Sequence, residues 1–260
     1  MTQDILTSVQ DGIGTITFNR PEMMNAVNPA VLRRVITAIE EMDADDAVRV
    51  LILTGSGRGF CAGGDRPFLA QLTKMTADQI KRTIYASFLG TARAIKMCSK
   101  PVVGAINGAA VGAGCEFALA CDFRIVANKA FFSENWVDLG LIPPLGGMLL
   151  LPRLVGLERA ANMLMRATRV YGPEAVAIGL ATEACEAEEL MDKARAFAQE
   201  LARRPRQSLA IIKQGMRRGL EGNLPGEWEF NVQAQSMLFG GPDFAEALAA
   251  MEAKRPAEFK

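Results

Sequence analysis

The sequence predicts an α/β protein: parallel strands joined by helices, followed by a helical carboxy-terminal region. Two observations carry this prediction. In the first half, β-rich runs at 13–18, 48–54, 101–106 and 123–127 alternate with helical patterns, which calls for crossover connections and parallel pairing. From about Leu157 onward the pattern is helical, and no strand-like run separates the segments. There is no low-complexity linker and no repeat at a fixed period. The expected organisation is one core over residues 1–195 and a helical region over 196–260.

Each element has its own signal. Ile13-Gly-Thr-Ile-Thr-Phe18 alternates apolar with small or polar residues, as a half-buried strand does, and ends at the turn signal Asn19-Arg20-Pro21. Asn28 is a natural helix cap and Pro29 fits the first helical position; Val31, Val35, Ile39 and Met42 then share one face. Val48 to Thr54 reads as a buried strand, followed by the turn Gly55-Ser-Gly-Arg-Gly59. A long helical stretch spans Thr76 to Met97. Pro101 to Ile106 is a strand, a Gly/Ala-rich turn leads into a short helix near 114–121, and Phe123 to Ala127 is a strand again. Helices are expected over 159–165, from Gly172-Pro173-Glu174, and over 188–203, 205–218 and 243–254.

Composition removes whole classes of chemistry. The 260 residues include no histidine, which excludes Ser-His-Asp triads, Cys-His pairs and HExxH zinc sites. Acid–base work falls to carboxylates, lysines, tyrosines, cysteines or backbone dipoles. With 29 basic and 29 acidic residues, the balance argues against a nucleic-acid groove. The longest charge-free run, 101–115, is shorter than the roughly 18 residues a membrane span needs. The start, MTQDILTSVQ, lacks the apolar stretch of a signal peptide. Five cysteines without a CxxC pair fit reduced thiols, and the expected compartment is the cytoplasm.

Three segments concentrate the chemistry. Gly55 to Gly59 is no dinucleotide fingerprint, because the third glycine would fall at Phe60; a tight turn is the better reading. Gly59-Phe-Cys-Ala-Gly-Gly-Asp65 has the small residues that let a backbone approach a ligand. Ile106-Asn-Gly-Ala-Ala-Val-Gly-Ala-Gly-Cys-Glu116 places small residues before a helix start, where free amides suit an oxyanion, and a carboxylate in the first turn. Glu116 has almost no polar neighbours in sequence. Burial there would raise its pKa toward that of a general acid–base.

Together with Ala120-Cys-Asp122, Gly140-Leu-Ile-Pro143, Gly146-Gly147, Asn19-Arg-Pro21 with Asn25-Ala26, and Glu252-Ala-Lys-Arg-Pro256, these motifs resemble the enoyl-CoA hydratase/isomerase (crotonase) family over essentially the whole chain. The resemblance implies a spiral of ββα repeats with a carboxy-terminal helical trimerisation region, in homotrimers or hexamers. It implies an acyl-CoA thioester substrate, CoA being part of that substrate and no separate cofactor or metal being needed. By motif position the oxyanion donors are the amides of Gly64 and Ala113, and Glu116 matches the first catalytic glutamate. CoA contacts are implied at Met24, Ala62, Gly64 and Arg66, with Lys254 or Arg255 supplied by a neighbouring subunit.

The family's second glutamate normally lies four residues before the glycine of Gly140-Leu-Ile-Pro, and here that residue is Trp136. Glu134 and Asp138 flank it. In an extended segment 134, 136 and 138 share a face; in a helix 134 and 138 do and Trp136 points away. Glu134, between Ser133 and Asn135 in an apolar run, is the favoured substitute, while Asp138 reads as solvated or capping. Trp136 and Phe68 are candidate walls of the acyl pocket, core packing being the alternative for Trp136. An aryl-CoA dehalogenase assignment is excluded, since Pro144 stands where its aspartate nucleophile belongs and its histidine is absent. Hydration or dehydration of a 2-enoyl-CoA is the expected reaction. Double-bond isomerisation, thioester or ring hydrolysis, and non-catalytic acyl-CoA binding are the alternatives.

Overall fold

A computed structural model of the chain describes residues 3–220 and 222–259. Strands β1 (Ile5–Gln10) and β2 (Ile13–Phe18) form an antiparallel hairpin. Its two-residue turn is Asp11-Gly12, both at positive φ, as such turns require. Helix α1 (Pro29–Ala44) starts where expected: the Asn28 side chain accepts from the amides of Ala30 and Val31, and Val31, Val35, Ile39 and Met42 are buried.

The chain then repeats one plan three times, with a strand in a large sheet, a short strand in a small sheet, and helix. The first repeat comprises β3 (Val50–Gly55), β4 (Gly59–Cys61), α2 (Arg66–Leu72), α3 (Ala77–Ile84) and α4 (Gly90–Met97). A single π-turn at Tyr85–Leu89 joins the last two helices. The second repeat is β5 (Val102–Ile106), β6 (Ala109–Val111) and α5 (Ala113–Ala120). The third is β7 (Phe123–Ala127), β8 (Phe131–Ser133), a 3-10 turn at Asn135–Leu139, α6 (Gly147–Val155) and α7 (Leu157–Arg166). This is the expected spiral of ββα units.

Between the later helices lie two short strands, β9 (Val170–Tyr171) and β10 (Glu183–Cys185), separated by α8 (Gly172–Ala177). They correct the expectation that the second half holds no strand. Runs of two and three residues are too short for a period-two pattern, and pairing with existing sheet edges, not their own sequence, makes them strands. The large sheet runs β1-β2-β3-β5-β7-β10 and the small one β4-β6-β8-β9. Among the described residues, only the pairs β1–β2 and β8–β9 are antiparallel.

The chain ends in α9 (Leu190–Ala202), α10 (Arg206–Arg218), α11 (Leu224–Phe239) and α12 (Pro242–Ala253). Helix α9 packs across β3, β5 and β7. Helix α10 is tied to the core by Lys213, which is buried 2.6 Å from Asp122 beside the start of β7 and also donates to the Lys100 carbonyl. Removing one partner of such a buried pair costs about 3–5 kcal/mol. All five cysteines are buried free thiols. No described helix is long and apolar enough to cross a membrane.

Candidate active site

Two loops from successive repeats meet at the top of the small sheet. After β4, the chain turns through Ala62-Gly63-Gly64 before Asp65 caps α2 by accepting from the Phe68 amide at 2.9 Å. Gly63 sits at φ +87°, a conformation side chains rarely adopt, and a Cβ there would come within 3.1 Å of the Val111 carbonyl. At Gly114, a Cβ would collide with the Cys61 carbonyl. Glycine at these two positions lets the β4 loop and the start of α5 touch.

That contact leaves two amides free. Val27 donates to the Gly63 carbonyl and Asp65 to the Val27 carbonyl, both at 2.8 Å, and in such a parallel bridge Gly64 turns its own N–H away from Val27. Ala113 is the first residue of α5, where an amide has no intrahelical acceptor. Neither amide has a hydrogen-bond partner among the described residues.

Polar side chains brace the loops, among them Asn28, which also caps α1. Arg20 donates to Asp65 at 3.0 Å and to the Ala26 carbonyl at 2.7 Å, and Asn28 donates to Asp65 at 2.9 Å. Burial pushes the Asp65 carboxyl upward, but bonds from Phe68, Asn28 and Arg20, with the arginine charge, outweigh it and hold the pKa below the usual value. Asn25, at φ 57°, donates to the carbonyls of Ser56 and Gly59, and Asn107 donates to those of Gly57 and Gly59. All lie within or beside the motif strings, so the signal was present; the long-range partners were not visible.

Both glutamates reach the same place. Glu116, in the first turn of α5, is 1% exposed, and its Oε1 accepts from the Leu145 and Gly147 amides at 2.8 Å each. Glu134 is fully buried; its Oε2 accepts from the Trp136 indole N–H at 3.0 Å, and the Cys115 thiol of α5 lies nearby. A Cβ on Gly147 would lie 3.0 Å from Glu116 Oε1 and 3.2 Å from Glu134 Oε1, so the two carboxylates flank one small space over the bare face of that glycine. Glu116 Oε2 and Glu134 Oε1 are buried without a partner among the described residues.

This arrangement raises both pKa values. Burial is the main cause for Glu116, opposed by its two amide donors. For Glu134 the Glu116 charge adds to burial, against weaker help from Cys115 and Trp136. The pair therefore holds on to a proton near neutral pH, and Glu134 is the member better suited to keep it.

The segment around Glu134 is neither wholly extended nor wholly helical. It leaves β8 at Ser133 and enters the 3-10 turn at Asn135, which leaves Asp138 exposed. Trp136 is half-buried, with its ring 3.6 Å from where a Gly112 Cβ would be. Phe68 is buried, stacks on Phe88 with centroids 5.3 Å apart, and lies beside Gly64. It lines an open cleft of about 370 Å³ with Asn28, Arg33, Gln71, Met75 and Thr83, outside which the carboxylate pair lies. The Met24 carbonyl accepts the Ala62 amide at 3.0 Å, so those two groups satisfy each other. Arg66 and Lys254 are exposed. Arg255 is taken up by both carboxylate oxygens of Glu246, at 2.6 and 2.9 Å.

The chain is similar to known proteins along nearly its whole length. The family model described as enoyl-CoA hydratase/isomerase matches residues 8–260. A Rhodobacter capsulatus protein named a probable enoyl-CoA hydratase is 37% identical over 251 residues, covering 96% of this chain and 95% of the relative. The Escherichia coli 1,2-epoxyphenylacetyl-CoA isomerase is 32% identical, covering 100% and 99%. The crystal structure of an enoyl-CoA hydratase from Bacillus anthracis superposes with a TM-score of 0.93 at 30% identity, covering 99% of each chain.

Proposed function

The chain belongs to the enoyl-CoA hydratase/isomerase family, and from that premise we propose that it adds water to, or removes it from, a 2-enoyl-CoA. The thioester oxygen accepts hydrogen bonds from the Gly64 and Ala113 amides. Ionised Glu116 takes a proton from water as the water oxygen bonds to C3. The C2–C3 π electrons move to C2, delocalised onto the thioester oxygen as an enolate, and neutral Glu134 gives its proton to C2. The reverse sequence dehydrates the product. Proton exchange between Glu116 and Glu134, directly or through solvent, then restores the starting state, so that atoms and charges balance over the cycle without a metal or second cofactor.

One observation carries the reading: two buried carboxylates, each with an unpartnered oxygen, share one space. Preorganised donors aimed at a developing oxyanion contribute about 100–1,000-fold each, and a positioned acid or base about 100–10,000-fold. We further propose that copies associate through the exposed apolar residues of α11, Leu224, Trp228, Val232, Met237 and Phe239, as homotrimers or hexamers in which Lys254 of one copy approaches the CoA phosphates of another. The acyl pocket is assigned to Phe68 and Trp136, and the CoA contacts to the Ala62 carbonyl, Met24 and Arg66.

A second reading has its own support. Glu116 alone of the two carries main-chain donors, and a single carboxylate can move one proton between C2 and C4, which is isomerisation. Incubation with a 2-enoyl-CoA in D2O separates the readings. Hydration yields a 3-hydroxyacyl-CoA with deuterium at C2. A shifted alkene as sole product overturns hydration in favour of isomerisation, and free CoA overturns both. Tight binding without turnover across chain lengths removes the catalytic assignment.

A further inference from the structure

Glu116 is held by main chain, whereas among the described residues the Glu134 carboxyl is held by one side chain. Its Oε2 accepts the Trp136 Nε1–H at 3.0 Å, while Oε1 stays free and faces the space beside Gly147. The same indole lies against Gly112, the residue before the Ala113 amide; a Cβ there would sit 3.6 and 3.7 Å from two ring carbons. One side chain thus touches both the acid and the oxyanion turn. It also occupies the sequence position at which the family motif places the acid itself.

We propose that Trp136 is a positioning residue: its N–H fixes Glu134 so that the free oxygen carries the proton toward substrate. The inference rests on Glu134 acting as the acid. Glu134 follows a strand end, and among the described residues no backbone amide holds its carboxyl. A bond to one oxygen selects a single rotamer and leaves the other oxygen to deliver the proton. The groups facing the Glu134 carboxyl are Glu116 and Cys115 from α5 and Trp136 from its own turn, so removing the indole N–H removes a donor that favours the ionised form.

The test is a double-mutant cycle with pH profiles. Trp136→Phe is expected to lower kcat about 10–100-fold with KM within about two-fold, and to move the alkaline limb of kcat to higher pH. Trp136→Phe/Glu134→Gln is expected to be no slower than Glu134→Gln alone, because both act through one proton. Additive losses, or an unmoved alkaline limb, overturn the proposal. Loss of turnover in Glu134→Gln with full turnover in Trp136→Phe overturns this inference and leaves the functional reading intact. Full turnover in Glu134→Gln overturns that reading itself. A measurement on the unaltered protein covers the case in which Trp136→Phe does not fold. The chain has two tryptophans, and Trp228 is 59% exposed. One indole N–H resonance should titrate near neutral pH in the native protein and not in Glu134→Gln; two pH-invariant resonances overturn the proposal.

Discussion

The two walls of the site hold their carboxylates by different means. On the α5 wall, Glu116 sits in a helical turn fixed by close glycine contacts, and two main-chain amides grip one of its oxygens. On the β8 wall, Glu134 follows a three-residue strand and is held by an indole N–H. Backbone donors survive almost any side-chain change, whereas side-chain donors are lost with one substitution. The first wall is therefore the fixed part of the machinery and the second the adjustable part. On the proposed reading the second acid is Glu134, two residues before Trp136.

The comparison can be broken in order of expected effect. Glu116→Gln removes the base from the fixed wall and should lower kcat toward the upper end of the 100–10,000-fold range for acid–base groups. Steady-state hydration kinetics read this directly, and retained turnover would mean the base lies elsewhere. Ala113→Pro deletes a main-chain donor at the first helical position, which proline tolerates. It should cost about 100–1,000-fold in rate with little change in thermal midpoint; an equal loss of stability would show that the amide serves the fold instead.

Gly147→Ala crowds both walls at once, since its methyl would approach the two carboxylates at 3.0 and 3.2 Å. Overpacking of this kind costs about 1–3 kcal/mol, seen as a lower melting midpoint together with reduced kcat. A variant with wild-type midpoint and rate would show that the carboxylates move apart freely. The smallest effect concerns stability against pH. Glu134 has a folded pKa raised above its unfolded value, so the stability of its neutral form is present at low pH and lost as pH rises through the folded value. Glu134→Gln stays neutral and should gain about 1 kcal/mol or more over wild type above neutral pH, and little at pH 4. Denaturant titrations at the two pH values measure it; equal differences at both would remove the claim that the site stores this cost.

Much of the fold was legible because its elements have strong local signals. Asn28-Pro29 and the Val31/Val35/Ile39/Met42 stripe define α1, and the repeated apolar runs define β3, β5 and β7. The hairpin turn Asp11-Gly12 and the Asn223 cap of α11, with Pro225 in its first turn, carry local signals of the same kind. Strands β4, β6, β8, β9 and β10 have at most three residues and exist through pairing across the chain. The carboxylates divide in the same way. Glu116 stood out as an acid in an apolar helix start. For Glu134 the sequence offered two geometries, and the strand-to-turn break at residue 134 matches neither, so only folding shows its oxygen beside that of Glu116.

The central claim is that Glu134, not the residue at position 136, supplies the second acid. Hydration of a 2-enoyl-CoA by Glu134→Gln at pH 7, with folding checked by circular dichroism, tests it most directly. The account predicts a kcat at least about 100-fold below wild type with KM little changed. Undiminished turnover by the folded variant would contradict it.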